Sequence, residues 1–245
     1  MSIHVNSVTI RTSDLDCFDR VKPHAYLEFY QDIAGEHADI LGVGYEASKK
    51  LNVGWVLMKS KLEIFKNPVP YDTLLLQTWP SNLTKVDFSR DYRLLDKEGE
   101  LISQGTSQWC IVDINTHRIL RTSTINFPEG VQEEPLYTAR LEKLSEYDYS
   151  NQEVKYSHTI RNSDLDHYGH TNNARYAVML FDALPNTLEN SVHTLEINYI
   201  AEAKLGETID LYYSTTNKLI KGVGVIRETT EKESRLSFSF EITLF

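Results

Sequence analysis

One seven-residue phrase occurs twice in this chain, 150 positions apart. Residues 10–16 read IRTSDLD and residues 160–166 read IRNSDLD, so six of the seven positions are identical. Each phrase precedes a segment whose apolar residues recur at helical spacing, and alternating strand-like segments follow in both halves. The matched order of elements predicts a domain duplication, with one helix and about five antiparallel strands in each half, rather than a solenoid.

The two predicted helices each carry an apolar face. These faces contain Tyr26, Phe29, Tyr30, Ile33 and Ala34 in the first half, and Tyr176, Met179, Leu180 and Ala183 in the second. Residues 123–152 are polar and acidic and show no clean period, apart from a short helix predicted around 136–143. We therefore expect an N-terminal domain at residues 1–125, a linker at 126–152 and a C-terminal domain at 153–245.

Composition excludes several classes of function. With 245 residues, 41% of them hydrophobic, the chain can bury a large core. Its formal charge of −10 argues against a nucleic-acid-binding protein, which needs a basic surface. Two cysteines, Cys17 and Cys110, are too few for a disulfide framework. His24, His37 and His117 lack carboxylate or thiol partners at ligand spacing, so we expect neither a metal nor another cofactor.

The sequence also bears on location. It has no run of about 18 apolar residues, which a membrane-spanning helix requires. The first ten residues, MSIHVNSVTI, lack both the basic and the apolar regions of a secretory signal. We therefore expect a cytoplasmic protein that does not insert into a membrane.

Several longer stretches resemble the acyl-acyl-carrier-protein thioesterases of plants and bacteria. They are QDIAGEHADILGVG, WVLMKSKLEIFKNPVPYDTLLLQTWP and DKEGELISQGTSQWCIVDINTHRILR in the first half, and SDLDHYGHTNNARY and LEINYIAEAKLGETI in the second. The resemblance covers nearly the whole chain. It implies an α+β fold, the tandem (double) hot-dog, in which an antiparallel sheet wraps a long central helix in each repeat. It also implies hydrolysis of fatty acyl-acyl carrier protein, which releases free fatty acid and ends elongation in fatty acid biosynthesis.

The resemblance further implies a catalytic site in the second repeat. The family pattern is Asp-x-Asn-x-His on the loop before the helix, with a glutamate on the following strand. On this sequence the pattern places Asp166, His170 and Glu202 in the site. The asparagine position holds Tyr168, a departure that puts the placement of the thioester carbonyl or water in doubt. A tyrosine hydroxyl can also donate a hydrogen bond, but from further out on a rigid ring.

The chemistry of these residues can also be argued directly. Thioester hydrolysis needs a base or a carboxylate nucleophile, and donors for the oxygen that becomes negative. Gly169 lets the backbone bend so that successive N–H groups face one point. Asn172 or Asn173 is expected to cap the following helix, whose positive end would complete an oxyanion hole.

Glu202 stands in the apolar stretch YIAEA, where partial burial would make it a stronger base. We therefore expect Glu202 to activate water, with Asp166 and His170 orienting it. The sequence leaves the roles within this trio interchangeable. His167, although adjacent, is expected to face solvent.

The first copy has lost this chemistry. Where the second copy has Tyr168, Gly169 and His170, the first has Phe18, Asp19 and Arg20. We expect a non-catalytic first domain that supplies core and acyl pocket, with Trp55 as a candidate substrate contact. Asp14 and Asp16 are expected to cap the first helix or to pair with Arg11 and Arg20.

The expected partner is an acyl carrier protein bearing a fatty acyl chain. Because that partner is acidic, a chain of charge −10 must concentrate cations where it docks. Two regions are candidates: Lys49, Lys50, Lys59, Lys61 and Lys66 in the first half, and Arg161 with Arg175 beside the site. The alternatives are a hot-dog enzyme acting on acyl-coenzyme A, a hot-dog dehydratase, and a non-catalytic acyl-binding protein. The chain-length preference and the oligomeric state, a homodimer included, stay open.

Overall fold

The computed structural model describes residues 3–130, 132–185, 191–230 and 233–245. The chain divides into two compact units, Met1–Leu141 and Glu142–Phe245. The boundary between the units lies within the segment predicted to be a linker. Across the described ranges, no helix combines the length and apolar character needed to cross a membrane.

The first unit packs a long helix against an antiparallel sheet. Its elements are β1 (His4–Thr9), α1 (Pro23–Ile40), α2 (Tyr45–Leu51), β2 (Val53–Ile64), β3 (Thr73–Leu83), β4 (Phe88–Leu95) and β5 (Leu101–Asp113). The strand order is β1-β3-β4-β5-β2. α1 begins at Pro23, whose fixed φ suits the first helical turn. The apolar face predicted from the sequence is buried along this helix.

The second unit repeats this arrangement with a shorter helix. Its elements are β6 (Tyr156–Thr159), α3 (Asn173–Ala183), β7 (Val192–Tyr199), β8 (Thr208–Thr216), β9 (Leu219–Ile226) and β10 (Arg235–Leu244). The strand order is β7-β10-β9-β8-β6, again antiparallel. Phe238 is fully buried and meets Tyr176 of α3 edge to face, with ring centroids 5.2 Å apart. The second sheet therefore closes on α3 through aromatic rings.

The two copies of the repeated phrase form the same hydrogen-bonded turn. The last aspartate of each phrase, Asp16 or Asp166, accepts backbone N–H bonds at Oδ1 from the residues two and four positions later, at 2.9 and 3.0 Å. A left-handed residue closes each turn: Asp19 at φ 58° and Gly169 at φ 79°. The first copy therefore keeps the turn without a glycine, because aspartate tolerates this conformation better than most residues.

The first copy uses its aspartates for structure. Asp14 accepts bonds from both the N–H and the guanidinium of Arg11, and Asp16 pairs with Arg20 at 2.7 Å. The prediction that these carboxylates pair with the two arginines is therefore confirmed.

Residues 133–141, which we call the strap, form neither helix nor strand. The helix predicted around 136–143 is therefore wrong. The backbone of the strap is bonded to the first unit: Glu134 O accepts from the Trp79 indole at 3.2 Å, and Leu136 N–H donates to Asp91 at 2.8 Å. The Tyr137 hydroxyl also donates to Glu63, at 2.6 Å. These tertiary bonds override the local helical propensity of residues 138–143, TARLEK.

Candidate active site

The second copy of the phrase presents His170 on an exposed turn in front of α3. Asp166, half-buried, anchors this turn through its Oδ1. Asn172 is the N-cap of α3, and its side-chain oxygen accepts the Ala174 N–H at 2.8 Å. The prediction that Asn172 or Asn173 caps the helix is confirmed for Asn172, and Asn173 is the first helical residue. The turn that carries Asp166 and His170 therefore leads directly into the N-terminus of α3, the positive end of the helix.

Glu202 lies against the same turn. Its Oε1 accepts the backbone N–H of Thr171, the residue after His170, at 3.1 Å. The expectation of a partly buried strand position for Glu202 is wrong, because β7 ends at Tyr199 and Glu202 is exposed on the loop that follows. A carboxylate there is open to water.

The amides of the turn are already occupied, which changes the expected oxyanion hole. The N–H groups of Tyr168 and His170 donate to Asp166 Oδ1, and that of Gly169 donates to Asp166 O at 3.0 Å. The next amide, of Thr171, serves Glu202. The expectation that successive amides of this turn converge on one external point is therefore wrong: they converge on carboxylate and carbonyl oxygens of the protein. These four amides are therefore not open to an external oxygen.

Aromatic rings line the exposed tip of the turn. The Tyr168 ring lies 3.8 Å from the His167 ring and 6.3 Å from the His170 ring, centroid to centroid. Tyr168 is 52% exposed, and His167 is exposed, in agreement with the solvent-facing position predicted for it. The residue in the family's asparagine position therefore places a ring beside His170 rather than a short amide.

A buried carboxylate supports the turn from below. Asp164, 2% exposed, accepts bonds from His158 Nε2 at 2.8 Å, Arg175 Nε at 3.3 Å and the Arg161 N–H at 2.8 Å. Burial acts to raise the pKa of Asp164, but these donors outweigh it and hold the pKa below its ordinary value. Arg175, one of the predicted docking cations, is thus engaged within the unit, while Arg161 is exposed.

Three of the five lysines predicted as a docking region in the first unit also have partners there. Lys59 donates to Leu141 O at 2.6 Å, and Lys66 pairs with Asp96 at 3.1 Å. Lys61 lies 3.5 Å from Glu63 and over the Tyr137 ring. These contacts hold the strap and a turn of the sheet.

Trp55, the predicted substrate contact, packs into a cluster of the first unit. It meets Phe88 edge to face at 4.8 Å, and its indole N–H donates to Val43 O at 2.9 Å. Its contact with substrate stays a prediction. Cys17 is exposed and Cys110 is buried. Over the described ranges, no group of three or more His, Cys, Asp or Glu side chains is arranged to hold a metal ion.

The sequence reasoning missed three hydroxyl residues next to the site, Thr171, Tyr176 and Ser237. They bond the loop that carries Glu202. A position-by-position comparison of the two halves would have found Thr171, because Val21 stands at its place in the first half. Ser237 lies 35 residues beyond Glu202, and no local motif marks it.

Comparison with known proteins decides the family. The model of the acyl-ACP thioesterase N-terminal domain matches residues 2–124, and that of the C-terminal domain matches residues 141–244. The chain belongs to the acyl-ACP thioesterase family.

Curated relatives of this thioesterase-family chain are plant proteins. The oleoyl-acyl carrier protein thioesterase of Coriandrum sativum is 22% identical over 204 residues, which cover 74% of this chain and 54% of the relative. The palmitoyl-acyl carrier protein thioesterase of Gossypium hirsutum is 26% identical, with 72% and 46% coverage. The chain thus spans about half the length of the curated relatives it matches.

Solved structures of thioesterases share the fold. An acyl-ACP thioesterase from Bacteroides thetaiotaomicron superposes with a TM-score of 0.86 at 20% identity, covering 100% of this chain and 98% of that one. The 12:0-ACP thioesterase from Umbellularia californica gives 0.86 at 16% identity, with the same coverage. The fold is therefore the hot-dog fold of the acyl-ACP thioesterases, with extensive antiparallel sheet and few helices.

Proposed function

We propose that this protein hydrolyses the thioester of fatty acyl-acyl carrier protein and releases a free fatty acid. Membership of the thioesterase family supports the reaction class. One observation carries the placement of the site: the exposed carboxylate of Glu202 is bonded to the amide next to the exposed His170. A base and an imidazole thus lie on one accessible surface of the second unit.

In the proposed reaction, Glu202 acts as general base. Oε1 is held by the Thr171 amide, and Oε2 takes a proton from water. The water oxygen then bonds to the thioester carbonyl carbon. As the resulting tetrahedral adduct collapses, the carbon–sulfur bond breaks and the leaving thiolate takes the proton from Glu202. The products are a fatty acid and the carrier thiol, so atoms and charge balance.

Side chains stabilise the oxyanion in this proposal, because the amides of the turn are engaged. The His170 imidazole donates to the developing negative oxygen, and Tyr168 packs beside it. Asp166 holds the turn that carries both residues, and in this proposal its charged carboxylate also orients the attacking water. Asn172 fixes the start of α3, and Asn173 stands at its first position, next to the substrate path.

The first unit has a structural role in this proposal. We infer a tandem duplication, supported by the identical turns at Asp16 and Asp166, in which only the second copy keeps a histidine and a glutamate. The first unit contributes core and acyl pocket, with Trp55 as its candidate substrate contact. Docking of an acidic carrier protein falls to Arg161 and to other cations of the surface around Glu202.

The decisive experiment compares purified native protein with Glu202→Gln and His170→Ala on acyl chains of graded length. Each chain is offered on carrier protein and on coenzyme A, and released thiol is measured. We expect each substitution to lower kcat about 10²-fold or more, with the carrier-protein substrates preferred. Preference for coenzyme A would move the assignment to an acyl-coenzyme A thioesterase. An enoyl product formed with loss of water from a β-hydroxyacyl substrate added to the panel would indicate a dehydratase. Trace thiol release that is indifferent to both substitutions would indicate a non-catalytic acyl-binding protein.

A further inference from the structure

Glu202 is exposed, yet the backbone on both sides of it is held by buried hydroxyl groups. Ser237 Oγ donates to Ala201 O at 2.7 Å, and Ala203 N–H donates to the Tyr176 hydroxyl at 3.3 Å. The Thr171 hydroxyl donates to Ala203 O. These three hydroxyl residues are 1 to 4% exposed. The catalytic candidate thus stands on a loop whose conformation is fixed from beneath.

The first unit contains a matching loop, which allows an internal comparison. At the start of the first loop, 65–72, the first two N–H groups both donate to Ile102 O, at 2.9 and 3.3 Å. At the start of the second loop, 200–207, the first two N–H groups both donate to Ser237 O, at 2.8 and 2.9 Å. The turns and the loops of the two units therefore align residue by residue. The first unit has Val21 for Thr171, Tyr26 for Tyr176, Asn67 for Glu202, Pro68 for Ala203 and Ile102 for Ser237.

Among the described residues, these three hydrogen bonds to the loop occur in the second unit, which carries Glu202, and have no counterpart in the first. Val21 and Ile102 have no hydroxyl to donate, and Pro68 has no N–H. Tyr26 is kept and fully buried, but its hydroxyl has no hydrogen-bond partner among the described residues. Both loops keep their backbone course, so the hydroxyl network is not needed to form such a loop. Its presence beside Glu202 therefore calls for a different reason.

We propose that Thr171, Tyr176 and Ser237 are positioning residues. They hold Glu202 where it can deprotonate the attacking water. The inference rests on the proposed role of Glu202 as general base. Thr171 is the central member, because its amide holds the carboxylate and its hydroxyl holds the carbonyl of the next residue. It thereby couples the turn of His170 to the loop of Glu202. Such preorganisation matters because displacing a catalytic group by about 1 Å costs up to about 10²-fold in rate.

The test introduces at position 171 the residue that stands at the equivalent position of the first unit. Thr171→Val copies Val21, keeps the side-chain volume and the amide bond to Glu202, and removes only the hydroxyl bond. Thr171→Ser restores the hydroxyl, and Tyr26→Phe is the matched control in the other unit. We expect Thr171→Val to lower kcat about 10- to 100-fold with KM changed less than about twofold. Thr171→Ser should recover kcat to within about threefold, and Tyr26→Phe should leave it unchanged.

A double-substitution cycle separates this inference from the proposed function. If Thr171 acts through Glu202, adding Thr171→Val to Glu202→Gln should lower the residual rate less than about twofold further. Native kcat in Thr171→Val, together with a large loss in Glu202→Gln, would overturn the inference and leave the proposed function standing. Losses that simply multiply would overturn it as well, because the threonine would then act independently. Native kcat in Glu202→Gln itself would refute the function.

Discussion

Replacing Asp166 tests whether its carboxylate serves the reaction or only the turn. Alanine removes the acceptor of two backbone N–H groups, at 2.9 and 3.0 Å, whereas asparagine keeps an oxygen in the Oδ1 position. Asp16 makes the same two bonds in the first unit and provides a control within the same molecule. The four variants Asp166→Asn, Asp166→Ala, Asp16→Asn and Asp16→Ala therefore separate charge from geometry.

The structure sets the size of the stability effects. A hydrogen bond to a charged group contributes about 1.5–3 kcal/mol when it is buried. The Asp166 turn is exposed and water can replace the lost acceptor, so we expect Asp166→Ala to cost about 1–2 kcal/mol in total. For a chain of this size that is a fall in Tm of about 2–8 °C. Asp16→Ala should cost at least as much, because it also leaves the Arg20 side chain, 14% exposed, without its carboxylate.

Activity should divide the variants differently from stability. We expect Asp166→Asn to keep the native Tm to within about 2 °C and to lose about 10²-fold in kcat, while both Asp16 variants keep native kcat. Scanning calorimetry and thiol release on acyl-carrier protein measure the two quantities. Native kcat in Asp166→Asn would refute a chemical role for the charge. An equal loss of kcat in Asp16→Asn would refute the assignment of the site to the second unit.

Three further outcomes follow from burial and packing. Burial raises the pKa of Asp91, so the stability contributed by its protonated form is lost as pH rises from about 3.9 through the raised value. The stability of Asp91→Asn in urea melts should therefore increase relative to that of the native protein between about pH 4 and about pH 7. Tyr26→Phe removes a hydroxyl without a hydrogen-bond partner among the described residues, and should raise the urea midpoint or leave it unchanged. Gly224→Ala would place a Cβ 2.1 Å from Phe238 Cε1, and should cost about 1–3 kcal/mol of unfolding free energy in the same melts.

The sequence predicted those features of the fold that depend on local pattern. The repeated phrase identified both turns, and the apolar spacing around Tyr26 and Tyr176 identified the buried face of each helix. The strap was mispredicted because its backbone bonds reach residues such as Asp91 and Trp79, more than 40 positions away. Local propensity holds no information about such partners.

The sequence named the candidate residues of the site but not their hydrogen bonds. Asp166, His170 and Glu202 fall on one surface region of the second unit, yet the expected amide donors are turned toward Asp166 and Glu202. An aspartate at the head of a tight turn can accept amides or face a substrate, and the letters alone do not decide between these uses. Thr171 escaped notice for a related reason, since its partner Ala203 is 32 positions away.

Pro68 limits what a single substitution can achieve in the first unit. An Asn67→Glu replacement would give the first unit an acidic group in the right place by a single exchange. That group would stand next to Pro68, which has no amide hydrogen to donate. The side chains of Val21 and Ile102 could not donate a hydrogen bond to the loop either. Three further exchanges, at Val21, Pro68 and Ile102, would be needed to give that group the loop contacts that Glu202 has in the second unit. The single replacement Asn67→Glu therefore does not transfer the supported carboxylate of the second unit to the first.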